Sequence, residues 1–154
     1  MCVSLDLKEA FDRISHTCLW TVIRSYGFGG GFIESITLMY ENATYIVQIN
    51  GHLSTPIPIR CGVRQGCPLS MILFALCLKP LLYYLDERLQ GIRVTGRQRT
   101  SKVMAYAGDV SILVNSKEDV RIIREAITYY EKATGTKLNI AKSSVLAVGN
   151  WNTS

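Results

Sequence analysis

The segment 102–114 constrains the fold more than any other, because two β-rich runs flank a tight turn at Ala107-Gly108-Asp109. Such runs on both sides of a short turn predict a β-hairpin with an acidic residue at its tip. An aspartate at a hairpin tip can bind a metal ion, but Gly-Asp is also ordinary turn chemistry. The segment alone leaves both interpretations open, and the rest of the chain has to decide between them.

Length, charge and cysteine content restrict the class of protein. The 154 residues suit one domain with a real core, which needs no metal or disulfide to hold it together. A formal charge of +5 favours a polyanionic partner such as nucleic acid without establishing one. Five cysteines without a C-x-x-C pair argue against a disulfide framework or a zinc site. They favour a reducing intracellular location, in the nucleus or the cytoplasm.

No membrane association is expected. The longest apolar run, residues 71–78, is too short to span a bilayer. At the N-terminus, Asp6 and Lys8 interrupt the chain before a signal-peptide core can form.

A strand opens the chain. Residues 2–7 alternate apolar with small or polar residues, and the near absence of a lead-in suggests a truncated start. A turn or short helix is expected to follow over residues 8–12. Asp6 lies near the end of the strand, where it is either an active-site carboxylate or a helix-capping acid.

Two helices are predicted within residues 16–42, because apolar residues recur at helical spacing on both sides of a glycine-rich break at residues 27–31. The aromatic and methionine positions of these helices, Tyr26, Phe32 and Met39 among them, are expected to be core. His16 is expected to lie at the surface.

The middle of the chain predicts a hairpin, a loop and a long helix. Residues 44–50 alternate as a strand, and Asn50-Gly51 is a strong hairpin signal before a proline-marked edge strand. Two glycines and two arginines in residues 60–70 permit a close approach of backbone to a phosphate or base, the alternative being a plain start of a helix. The helix predicted over residues 70–90 is apolar enough to be buried on most of its surface, with a kink at Pro80.

The C-terminal part predicts one more helix and strand. Residues 96–102 form a basic loop that either contacts a phosphate backbone or is a solvated turn. Ser116 and Asp119 resemble a capping box at the start of a helix that is predicted to end at Gly135. Residues 144–148 read as a final strand before a disordered tail over residues 151–154. The order of elements predicts an α+β fold, in which helices pack on a mainly antiparallel sheet.

Four segments together resemble motifs A, B, C and D of reverse transcriptases, most closely those of LINE-type, non-LTR retrotransposons. They read LDLKEAFD at residues 5–12, GVRQGCPLS at 62–70, AYAGD at 105–109 and LNIAK at 138–142. Their order and spacing make the resemblance specific. It implies a polymerase palm with part of the fingers over residues 1–150, with upstream fingers segments and a downstream thumb missing.

The resemblance also implies an RNA template, a DNA primer and a dNTP as partners. In the family, two Mg²⁺ ions activate a primer 3′-hydroxyl and neutralise the triphosphate during in-line nucleotidyl transfer. Magnesium takes hard oxygen ligands, so carboxylates from two strands must converge. The implied metal ligands are Asp6, the carbonyl of Leu7 and Asp109.

The remaining site residues are implied by the same resemblance. Lys142 matches the motif D lysine that assists the leaving pyrophosphate. Phe11 matches the bulky residue that screens the sugar 2′ position. Gln65 and Gly66 would lie against the templating pair, with Arg64 beside them in the substrate-binding set.

The chain departs from the family at residue 108. Motif C of the family ends in two consecutive aspartates, whereas this chain has Gly108 before Asp109. Glycine fits a tight turn easily, so the hairpin should survive while the site drops from three carboxylates to two. Losing even a group that supports a metal ligand costs about 10- to 100-fold, so we predict very weak or no polymerase activity. The alternative is a non-catalytic nucleic-acid or protein-binding module that keeps the palm fold.

Overall fold

The computed structural model describes residues 1–93 and 100–148. The predicted tail and most of the predicted basic loop lie outside these residues. The N-terminal half begins with a strand and three helices, which are β1 (Cys2–Lys8), α1 (Ala10–Arg13), α2 (His16–Ser25) and α3 (Gly30–Tyr40). Four short strands follow before a long helix; they are β2 (Thr44–Tyr45), β3 (Gln48–Ile49), β4 (His52–Leu53) and β5 (Ile57–Pro58), and the helix is α4 (Pro68–Arg88).

The C-terminal half adds six strands and one helix to the described fold. In chain order they are β6 (Ile92–Arg93), β7 (Thr100–Ser101), β8 (Val103–Tyr106), β9 (Asp109–Leu113), α5 (Lys117–Thr134), β10 (Lys137–Leu138) and β11 (Ser144–Leu146). The final strand is thus shorter than predicted, and β10 was not predicted at all.

The main sheet is antiparallel and has β1 at its centre. Strand β9 pairs with one edge of β1, β8 lies beyond β9, and β10 and β11 pair with the other edge. Successive side chains of a strand alternate between the two faces. Leu5 and its partner Val110 are buried on the helix-covered face, while Asp6 and its partner Asp109 lie on the opposite face. The predicted α+β architecture is therefore confirmed.

Helix α4 runs through the core and packs against α2, α5 and β8. The prediction that it is buried on most of its surface is wrong, because Met71 and Ile72 are 55% and 58% exposed. One stripe of the helix contacts its neighbours, and the other side remains uncovered. Among the described helices, α4 is long and apolar enough to cross a bilayer by composition, but here its buried stripe packs as that of a core helix does.

Two other predictions fail for identifiable reasons. The strand predicted over residues 44–50 is broken between β2 and β3. There the Ser54 N–H donates to the Val47 carbonyl, but the Val47 N–H donates to the Ser54 Oγ at 3.0 Å, so a side chain replaces one backbone bond of a regular strand pair. In α3 the core stripe consists of Ile33, Ile36 and Tyr40. Tyr26, Phe32 and Met39 lie beside the core and are exposed, since a helix buries only the side that faces its neighbours.

The local signals at the turns and caps are confirmed. Asn50 and Gly51 take the positive φ angles of a tight hairpin, 50° and 81°. Helix α5 starts with the predicted capping box, in which Ser116 Oγ accepts from the Asp119 N–H at 3.1 Å. It ends at Gly135, which has a φ of 80°.

Candidate active site

The strand register brings two predicted metal ligands together. Asp6 of β1 lies directly opposite Asp109 of β9. The Leu7 N–H donates to the Gly108 carbonyl at 3.2 Å, which makes Asp6 and Asp109 a pair without hydrogen bonds between them. In such pairs the two Cα atoms lie about 4.5 Å apart and the side chains approach closely. Two carboxylates thus share the open face of the sheet, and Asp109 begins β9 rather than forming the tip of the turn.

The turn that carries Lys142 is fastened to the backbone of Asp6. Ser143 Oγ accepts from the Asp6 N–H at 3.2 Å, and the Asn139 N–H donates to the Asp6 carbonyl at 2.8 Å. Ser143 Oγ also donates to the Asn139 carbonyl at 2.7 Å, which closes the turn. Lys142 is exposed on this turn, and its side chain bonds to none of the described residues. The fold therefore places the predicted lysine next to the strand position of the predicted metal ligand.

The hairpin forms with Gly108 as expected, but its backbone does not require a glycine at this position. Ala107 takes the left-handed conformation of the turn, with a φ of 49°, whereas Gly108 lies outside that region. A Cβ atom on residue 108 would lie 3.5 Å from Ala10 Cβ and 3.8 Å from the Leu7 carbonyl oxygen. Both are ordinary contact distances, so the backbone accepts a side chain at this position.

Phe11 is held by packing that the sequence did not indicate. Its ring stacks on that of Phe74 in α4, with the centroids 4.4 Å apart. Its carbonyl accepts a hydrogen bond from the Val63 N–H at 2.7 Å. The predicted sugar-screening residue is thus fixed between α4 and the loop of motif B.

The loop of motif B is fastened to the segment that follows β1. The Gly62 N–H donates to the Ile14 carbonyl at 2.7 Å, and Gln65 Nε2 donates to the Asp12 carboxylate at 3.0 Å. Gly62 does approach backbone closely, but the backbone is that of Asp12 rather than a phosphate or base. Gly66 has open space around it, as an approach to a ligand requires.

A cavity of about 670 Å³ lies beside this loop. Arg64, Gln65 and Asp12 line it, together with Tyr45 and residues 58–63. Nearby, the pKa of the Cys67 thiol is lowered, chiefly because the Leu69 N–H donates to it at the start of α4, with a smaller effect of Arg64. Arg64 and Gln65, two of the three substrate-binding residues predicted in motif B, therefore share one concave surface. Lys102, at the end of the predicted basic loop, does not line this cavity, and its amino group donates to the Asp86 carbonyl.

Replacing Gly62 or Gly66 with alanine is expected to lower the free energy of unfolding by different amounts. Both glycines have a φ of 81°, so alanine at either costs about 1 kcal/mol for the left-handed conformation. Only at Gly62 would the new Cβ lie 2.7 Å from the Asp12 backbone, so we expect a total cost of about 2.5 kcal/mol there. Urea unfolding of the two variants measures the difference. Equal costs would contradict the close packing of Gly62 on Asp12.

The donor set of the open face is suited to Mg²⁺. Asp6, Asp109 and the Leu7 carbonyl offer hard oxygen atoms, which are the ligands that Mg²⁺ prefers. Within residues 1–93 and 100–148, neither aspartate makes an ion pair that would occupy its oxygens, and no cluster of three histidine, cysteine or acidic residues occurs. Residue 108, where the resemblance expects another aspartate, has space for a side chain beside the Leu7 carbonyl.

Sequence reasoning missed the residues that fasten the site. Ser143, Phe74 and Asp12 each hold a predicted site residue in place, and His16, which was expected at the surface, is half-buried and donates to the Gly62 carbonyl. Their partners lie far along the chain, so no local pattern identifies them.

Comparisons with known proteins identify the family of this chain. A family model described as reverse transcriptase (RNA-dependent DNA polymerase) matches residues 1–152. The chain is 36% identical over 148 residues to the Transposon TX1 uncharacterized 149 kDa protein of Xenopus laevis, covering 96% of this chain and 11% of that protein. It is 30% identical over 145 residues to a retrovirus-related Pol polyprotein from type-1 retrotransposable element R2 of Popillia japonica, covering 94% of this chain and 24% of that protein.

A solved structure shares the fold. The structure of apo telomerase from Candida tropicalis, truncated from the C-terminal domain, matches 99% of this chain and 31% of that chain, with a TM-score of 0.69 and 18% identity. This likeness concerns the fold alone and confirms the predicted polymerase palm. The chain spans 11% and 24% of the two curated relatives described above. Because the family model covers nearly the whole sequence, the chain belongs to the reverse transcriptase (RNA-dependent DNA polymerase) family, with relatives in retrotransposons.

Proposed function

We propose that this chain is the palm part of an RNA-directed DNA polymerase whose chemistry is impaired at motif C. The observation that carries the proposal is the pairing of Asp6 with Asp109 on the open face of the sheet. Adjacent carboxylates on the open face of a sheet suit a reaction that needs divalent cations and phosphate substrates. An RNA template, a DNA primer and a dNTP are the partners that this function requires.

Asp6, Asp109 and the Leu7 carbonyl would hold Mg²⁺. The chemistry that the bound metal supplies is activation of a primer 3′-hydroxyl and neutralisation of the triphosphate. Lys142 reaches out from the turn fastened to Asp6, where its ammonium group would protonate or neutralise the leaving pyrophosphate.

The other residues position the substrates. Phe11, stacked on Phe74, would exclude a sugar that carries a 2′-hydroxyl. Arg64 and Gln65 line the cavity beside motif B and, with Gly66, would contact the templating pair and its phosphates.

Gly108 is the reason to propose impaired chemistry. It removes a carboxylate beside the Leu7 carbonyl and leaves two where the family has three. The same observation favours a second candidate, a non-catalytic nucleic-acid-binding module that keeps the palm fold. The two candidates differ in whether Asp6 contributes to binding of substrates when Mg²⁺ is present.

Binding of a labelled RNA–DNA primer–template to the chain tests both candidates. Affinity should fall steeply from about 50 to about 200 mM salt, by about 100-fold for roughly four phosphate contacts. With Mg²⁺ and dNTP added, Asp6→Asn should weaken the complex if the polymerase site persists and leave it unchanged if the chain is a binding module. Affinity that does not respond to salt would contradict a nucleic-acid role of either kind.

A further inference from the structure

His16 connects the helix α2 to the loop of motif B. It is the first residue of α2 and is half-buried, and its Nε2 lies 2.9 Å from the Gly62 carbonyl oxygen. Since a carbonyl only accepts, the imidazole donates through its Nε2–H. Within the described residues, this is the one hydrogen bond that the Gly62 carbonyl receives.

The imidazole is itself held by two aromatic rings. The centroid of His16 lies 5.2 Å from that of Tyr40 in an edge-on contact and 5.9 Å from that of Trp20. Tyr40 Oη lies 3.5 Å from Ser70 Oγ in the first turn of α4, which is the helix that the loop enters. The donor is therefore fixed relative to both ends of the loop.

The peptide that joins Gly62 to Val63 is held at both of its polar groups. Its N–H, which belongs to Val63, donates to the Phe11 carbonyl at 2.7 Å, and its carbonyl accepts from His16. Gly62 has a φ of 81°, a conformation that glycine adopts without the steric penalty of a Cβ atom. Within the described residues, His16 is the one side chain that bonds to this peptide, and the peptide sets the path of the chain toward Arg64, Gln65 and Gly66.

We propose that His16 is a positioning residue, which fixes the Gly62 carbonyl end of this peptide and thereby presents the Arg64–Gly66 segment to nucleic acid. The identity of the ligand, a nucleic acid, rests on the proposed function, whereas the hydrogen bond from His16 to Gly62 does not depend on it. A side chain that keeps a donor near the position of Nε2 should preserve the presentation. A side chain that keeps only the ring should lose it.

Two substitutions separate the donor from the ring. His16→Phe keeps the aromatic contacts and removes the N–H, whereas His16→Gln removes the ring and keeps an amide donor. His52→Phe, at the other histidine of the chain, is the matched control because that residue is exposed on β4. Amide hydrogen exchange of residues 62–66 and affinity for the RNA–DNA primer–template are measured for each variant.

We expect His16→Phe to accelerate exchange at Gly62 and Val63 by about tenfold, with α5 unchanged, and to weaken primer–template binding several-fold. His16→Gln and His52→Phe should stay close to the unmodified chain. Unchanged exchange in His16→Phe, or a His16→Gln variant as defective as His16→Phe, would overturn the proposal. If His16→Phe does not fold, the His16→Gln variant decides. Amide exchange at Gly62 and Val63 as slow as in the unmodified chain supports the donor role of residue 16, and faster exchange contradicts it. Failure of the unmodified chain to bind primer–template would count against the proposed function, while the exchange comparison would still test the role of His16.

Discussion

Replacing Gly108 with aspartate is expected to raise Mg²⁺-dependent nucleotide incorporation by about 100-fold or more when this chain forms the palm of a complete related polymerase. The backbone at residue 108 lies outside the left-handed region, and a Cβ there meets Leu7 and Ala10 at ordinary contact distances. An aspartate would add a carboxylate beside the Leu7 carbonyl, on the edge of the pair formed by Asp6 and Asp109. The variant should therefore gain a ligand without losing the hairpin.

Primer extension on an RNA template measures this effect, with the unmodified chain and Gly108→Asn assayed beside Gly108→Asp. Asparagine has nearly the size of aspartate but lacks its charge, so it controls for filling the space at residue 108. Extension by the unmodified Gly108 form at the rate of the aspartate form would contradict the impairment. Equal gains from asparagine and aspartate would contradict a metal-binding role for the new carboxylate.

Replacing Asp119 with alanine should lower the free energy of unfolding by about 4 kcal/mol. Asp119 is 1% exposed, and its carboxylate accepts from three backbone N–H groups, those of Gln90, Asn115 and Ser116. Alanine leaves these donors partly buried and unpaired, and it also removes half of the capping box of α5. The bond to Gln90 is the one that ties the start of α5 to the segment after α4.

Urea unfolding and thermal unfolding measure the loss, which corresponds to a decrease in Tm of about 10 °C for a chain of this size. Glu118→Ala is the matched control, because Glu118 is an acidic neighbour in the same first turn whose side chain bonds to exposed Arg121. It should change stability by less than about 0.5 kcal/mol. A loss below about 1 kcal/mol for Asp119→Ala would show that the three N–H groups find other partners.

The features predicted correctly are those with a local physical cause. The turn at Asn50-Gly51, the capping box of α5 and its end at Gly135 each depend on a few neighbouring residues, whose side chains or φ angles determine the backbone nearby. Exposure was predicted less well. Helical spacing groups Phe32 and Met39 of α3 with its core residues, but which side of a helix is covered depends on what packs against it.

The sequence by itself determined the family, the alternation that makes β1 and β9 two-faced strands, and the departure at Gly108, because these depend on residue types and their spacing. Only the tertiary structure decided that Asp6 lies opposite Asp109, and that Ser143 holds the Lys142 turn against Asp6. The strand register and the position of the Lys142 turn are set by hydrogen bonds and packing between residues far apart in the chain. A pattern along one segment contains no information about which distant backbone group it will meet.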